Sequence, residues 1–141
     1  EGPTLAPNAS YVVRYRVTVA TNAPKNCAGI GGAPGESVVL KVGATPAEPA
    51  RTIDADQYYR ANFDHGSQLA GGRDALPVGN IANSNTNCAV PRYELKQFDS
   101  APLAVATSAG GRLWFVVGVD SGFEGTTAVY VTSVRVAIRP A

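Results

Sequence analysis

Reactive side chains are sparse in this chain of 141 residues: one histidine (His65), two cysteines (Cys27 and Cys88) and no methionine. Acid, imidazole and hydroxyl coincide once, in Asp64-His65-Gly66-Ser67. A nucleophilic triad needs the imidazole between the other two groups in space, whereas consecutive residues of an extended chain point to opposite sides. The continuation Gln68-Leu69-Ala70-Gly71 also lacks the Gly-x-Ser-x-Gly elbow that exposes a nucleophilic serine. The stretch reads as a hydrogen-bonding loop.

Two acidic pairs stand out. Asp120-Ser121-Gly122-Phe123-Glu124 sets two carboxylates and a hydroxyl around a glycine turn, hard oxygen ligands of the kind Ca²⁺ takes. Asp120 and Glu124 are therefore the candidate metal residues; the competing reading has them bonding loop amides or an arginine. Asp54-Ala55-Asp56 places two carboxylates on one side of an extended segment, which reads as a solvated strand start. Aromatic rings supply the other chemistry, since they pack on the C–H faces of pyranoses. Trp114 lies within an apolar run and reads as core. Tyr58, beside Arg60 and ahead of Asp64 and His65, gives the leading ligand surface: Tyr58, Arg60, Asp64 and His65.

Strands must position these residues. From Tyr11 to Thr21 the chain alternates, with Tyr11, Val13, Tyr15, Val17 and Val19 on one face and Arg14, Arg16 and Thr18 on the other. A second strand over 36–43 turns Val38, Leu40 and Val42 inward and Val39 and Lys41 outward. Further strands are expected over 56–64, 78–82, 92–98 and 103–107. The continuously apolar 113–119 reads as a central strand covered on both sides. A last strand over 130–139 directs Val134, Val136 and Ile138 inward. Gly-, Pro- and Asn-rich turns recur at intervals of roughly 10 residues, the spacing of a sandwich or barrel. The expected fold is an all-β, single-domain antiparallel β-sandwich of jelly-roll type with eight or nine strands, over residues 11–141 after an N-terminal segment, 1–10.

Composition narrows the partners. Twelve basic and eleven acidic residues leave a net charge of +1 with no Lys/Arg run, which argues against nucleic acid. No apolar run approaches the ~20 residues of a helical membrane span. The cysteines sit in polar turns, Lys25-Asn26-Cys27-Ala28-Gly29 and Asn85-Thr86-Asn87-Cys88-Ala89, and read as a disulfide, hence an oxidising compartment.

Two longer segments carry a resemblance: Gly29-Ile30-Gly31-Gly32-Ala33-Pro34-Gly35-Glu36-Ser37-Val38, and Leu113-Trp114-Phe115-Val116-Val117-Gly118-Val119-Asp120-Ser121-Gly122-Phe123-Glu124-Gly125-Thr126-Thr127. With Asn62-Phe63-Asp64-His65-Gly66-Ser67-Gln68 between them, the chain resembles a group of bacterial secreted proteins and lipoproteins that has no established activity. The resemblance implies export and carries over no catalytic residue. At fold level the strand layout is also similar to jelly-roll carbohydrate-binding modules. The expected function is a noncatalytic secreted or cell-surface module with a glycan as leading ligand and Ca²⁺ as the one cofactor to consider. The alternative is a structural or assembly protein of the envelope that contacts other surface proteins. A glycoside hydrolase-like enzyme using Asp/Glu pairs comes third.

Overall fold

The computed structural model describes residues 5–141, and the first four positions of the 1–10 segment lie outside it. Nine strands and no helix make up the described residues: β1 (Ser10–Thr21), β2 (Val38–Thr45), β3 (Arg51–Ile53), β4 (Tyr59–Ala61), β5 (Ala75–Asn80), β6 (Glu94–Asp99), β7 (Leu103–Ala106), β8 (Trp114–Ser121) and β9 (Val129–Pro140). The fold is an antiparallel β-sandwich, as the alternation predicts.

β1 organises the first sheet. Along one edge it pairs with β6 and then β7, and along the other with the whole of β9. Its inward residues Val13, Val17 and Val19 are fully buried. The second sheet runs β5-β2-β8, and β3 and β4 form a separate hairpin. Leu40 and Val42 of β2, Phe98 of β6 and the inward face of β1 meet in the core. Tyr15 reaches across it, donating its hydroxyl to the Gly43 carbonyl. Burial pushes the pKa of that phenol up, so it stays a neutral donor.

Three expectations need correction. Positions 113–119 are not a doubly covered central strand: β8 pairs only with β2 and is an edge. Its Trp114, read as core, is 36% exposed, and Phe115 is 46% exposed. Lys41 and Val39 do face away from the core, yet both are buried. The single strand expected over 56–64 shrinks to β4, the second arm of the β3–β4 hairpin, followed by a loop, because Asp54 accepts the amides of Asp56 and Tyr58 and turns the chain.

A smaller cluster closes one end of the sandwich, with Ala23, Val38 and Ile81 buried beneath Phe123 and Val129. The disulfide Cys27–Cys88 lies at that end and joins loops 61 positions apart. Asparagines shape the second of these loops: Asn83, Asn85 and Asn87 each accept the amide two residues on, and Asn83 also donates to the carbonyls of Thr21 and Arg92. A crosslink over this span stabilises by ~4 kcal/mol in the chain-entropy account. Cys27→Ser is therefore expected to lower the melting temperature by roughly 10 °C in calorimetry. An unchanged transition would show that the asparagine turns alone hold the loop.

Candidate functional site

The site begins with a lysine in the wrong place for its charge. Lys41 projects from the outer face of β2, where the chain from 62 to 74 crosses over it. Its ammonium donates to the carbonyls of His65 (2.8 Å), Ser67 (3.1 Å) and Ala70 (3.0 Å) and to Asp120 Oδ2 (2.9 Å). The side chain is only 6% exposed, so these acceptors replace its water. Asp120 comes from β8, beside Val39 in register. His65 Nδ1 lies 3.4 Å from the same carboxylate oxygen.

The crossing loop is braced at its base. Asp64 accepts the amides of Gly66 and Arg73, and its own amide donates to Asp74. Asp74 is gripped by the Arg73 guanidinium through two bonds of 2.9 Å. The Arg73 amide is the main cause holding the Asp64 carboxyl below the usual carboxylate range, and the Arg73 guanidinium does the same for Asp74. A Cβ at Gly72 would collide with Asp64 Oδ1, so that position requires glycine.

Beside the loop stands the β3–β4 hairpin. Arg51 lies 4.4 Å over the Tyr59 ring and Arg60 5.6 Å over Tyr58, and both tyrosines are 63% exposed. Arg60 also pairs with Asp54 at 2.7 Å, which draws the Asp54 carboxyl below its ordinary pKa. Asp54 is thus a turn anchor, not half of a cation site with Asp56.

Two hollows share one wall. A shallow one of about 420 Å³ lies against Arg51, Tyr59, Arg60 and Phe63. A second, of about 230 Å³, is lined by Phe63, His65, Val119, Asp120 and the Lys41 stem. Phe63 belongs to both, and its ring meets His65 edge-on at 6.0 Å between centroids. The two hollows meet at Phe63, with the cation-backed Tyr59 lining one and an imidazole and a carboxylate lining the other.

Of the residues singled out in the sequence, Tyr58 and Arg60 sit together on the hairpin, and His65 sits with Asp120 in the second hollow. Asp64 is exposed beside them and accepts two loop amides. Asp120 is engaged by Lys41 and His65, while the Glu124 amide holds the Ile30 carbonyl. Among the described residues no group of three or more acidic, histidine or cysteine side chains is placed to hold a metal. The Asp64-His65-Ser67 stretch makes no triad, since Ser67 contributes its carbonyl and His65 turns to Asp120. Lys41 and Phe63 were missed. A single lysine in Val38-Val39-Leu40-Lys41-Val42 was the available signal.

The segments 29–38, 62–68 and 113–127 converge here. Gly122 donates to the Ser37 carbonyl and Glu124 to that of Ile30, while Gly31, at φ 74°, lies against the Gly122 carbonyl where no side chain fits. His65 and Ser67 are tied to Asp120 through Lys41. No family model matches this chain, and neither curated proteins nor solved structures give a match.

Two outcomes follow. Lys41→Met leaves a carboxylate and three carbonyls without their donor, so it is expected to cost about 3 kcal/mol in urea unfolding and to speed amide exchange at 65–74. Normal protection there would dismiss the cage as the loop's anchor. The carboxyls of Asp64 and Asp74 have folded pKa values below their unfolded ones. Their contribution is complete above the unfolded value of about 4 and is lost as pH falls through the lower folded values. Exchange protection at 64–74 should therefore decline only in strong acid, and a loop that opens nearer neutrality would refute this bracing.

Proposed function

We propose that this protein is a noncatalytic glycan-binding module, exported and displayed at or beyond a bacterial cell surface. The observation that carries the reading is Phe63, the shared wall that makes one continuous surface of the tyrosine hairpin and the His65–Asp120 hollow. Such a surface offers rings for the C–H faces of a pyranose and an imidazole, a carboxylate and guanidinium groups for its hydroxyls. The two tyrosine rings project into solvent and Phe63 is half-buried between the hollows. Export is supported by the disulfide, which persists in oxidising compartments. No helix among the described residues is long and apolar enough to cross a membrane.

The hydrolase reading finds less support, because Asp54, Asp64 and Asp74 are committed to turns and amides. The assembly reading draws on a different face, the exposed apolar seam between β8 and β9. The glycan reading is tested by screening the protein on a glycan array with and without EDTA. At least one glycan class should be retained, Tyr59→Ala and His65→Ala should each weaken it about tenfold, and EDTA should have no effect. Both side chains are accessible enough to be replaced without unfolding. An array with no specific ligand, or variants that bind like the parent, would overturn the proposal.

A further inference from the structure

The outer face of the first sheet is rich in arginine. Paired residues of neighbouring strands project to the same side of a sheet. Val13, Tyr15 and Val17 of β1 point to the core, so Arg14 and Arg16 point out. On β9, Arg135 is the partner of Arg16 and Arg139 of Val12, which turns both to the same outer face. Four of the twelve basic residues of a chain with net charge +1 therefore stand here, all of them exposed. Arg16 and Arg135 lie directly opposite each other, where like charges repel. Asp99, the β6 partner of Arg16, is the one carboxylate that the strand register sets among them, and it binds Arg16 at 2.6 Å. Arg14, Arg135 and Arg139 are in no ion pair among the described residues. Positive charge is thus concentrated on this face and left largely uncompensated.

The face also has shape. A hollow of about 430 Å³ opens among Arg14, Arg16 and Arg135, with Asp99 and Ser100 at its edge. Ala137, the partner of Arg14, puts only a methyl group there. Further along, the chemistry changes in steps. Thr18 lies between Gln97 and Ser133, and Ala20 lies between Leu95 and Tyr130. Tyr130 meets Tyr93 at 5.5 Å between ring centroids, and Tyr93, Tyr130 and Leu95 are 51–72% exposed. From Val12 to Ala20 the face runs for ~27 Å at ~3.4 Å per residue. Guanidinium groups, hydroxyls and an amide, then aromatic rings follow one another on a single surface.

We propose that this face binds an acidic polysaccharide, with Arg14, Arg16, Arg135 and Arg139 holding its carboxylate or sulfate groups and Tyr93 and Tyr130 packing on its sugar rings. A guanidinium meets such an oxyanion through two parallel hydrogen bonds. A lipid surface would instead call for large apolar side chains around the arginines. Their neighbours are Ala137 and, beside Val12, Ala104, while Leu95 and Tyr130 lie two residue pairs beyond Arg16. This surface is on the opposite side of the sandwich from His65 and stands independently of the hairpin reading.

Titration calorimetry at low salt tests it, with polygalacturonate, dextran sulfate and neutral dextran as probes. An acidic polymer should bind, neutral dextran should not, and added salt should weaken the binding. Arg14→Gln and Arg135→Gln should each weaken it about tenfold and Tyr130→Ala about threefold, with unchanged melting curves because these side chains are exposed. Asp99→Asn should tighten it about twofold by removing the competing carboxylate. Arg112→Gln, an equal loss of charge beside a different hollow, should change nothing. Should an arginine variant melt lower than the parent, Arg139→Gln takes its place. Failure of both acidic polymers to bind would overturn the proposal. So would an Arg112→Gln loss as large as that of Arg14→Gln, which would reduce the binding to general attraction. Stronger binding to phosphatidylglycerol vesicles or to single-stranded DNA than to either acidic polymer would assign the face to a membrane or a nucleic acid and overturn it too.

Discussion

Lys41 stands on the outer face of β2, yet its ammonium is almost completely removed from water, and the way its charge is satisfied shapes that whole side of the molecule. An isolated ammonium in such a place would be strongly unfavourable. Three carbonyls from one loop and the Asp120 carboxylate take the place of its hydration, so 65–70 must lie over the second sheet and nowhere else. Val39, on the same face of β2, is buried as well. The loop also brings His65 to Asp120 and Phe63 to the hairpin side. The candidate site is thus a consequence of solvating one cation with backbone.

The opposite problem governs the seam. The first sheet is wider than the second at β9, whose inward face has no strand above it at Val131 and Val134. Burying a valine or phenylalanine side chain is worth roughly 1.5–3 kcal/mol, so several half-exposed residues forgo a substantial part of that gain. The closed end offsets this locally, since Phe123 and Val129 cap the cluster of Ala23, Val38 and Ile81 beside the Cys27–Cys88 bond. One face of the protein is over-determined and the other unfinished.

The strands were legible where a two-residue period was clean. β1 and β9 appear in the sequence nearly at full length, and the disulfide followed from two cysteines in polar turns. β8 was misread for a physical reason. A continuously apolar run has the same composition whether both its faces are covered or one of them borders an open seam. Lys41 and Val39 were assigned the right face but the wrong environment, because alternation reports direction and not what a distant loop lays over it. Half of the candidate site was visible: Tyr58, Arg60 and His65 on it, and Asp64 beside it, exposed but bonded to loop amides. Asp120 was noticed for calcium, and its partner proved to be an ammonium.

The closed and open ends bear on how the two faces relate. β8 and β9 are consecutive, and the turn between them carries Phe123 into the closed cluster, while the hollow between the two strands lies beside Leu5 and Arg112. β8 also lines the hollow at His65, through Val116, Gly118 and Asp120. Its two faces therefore serve different surfaces: the inner one borders the seam, and the outer one carries Asp120 to Lys41. Pairing along the free edge of β8 would stiffen the strand that holds Asp120, and through Lys41 the loop that holds His65. The exposed inner face of β8 and the surface at His65 are thus joined by a short physical route, with no rearrangement of the core between them.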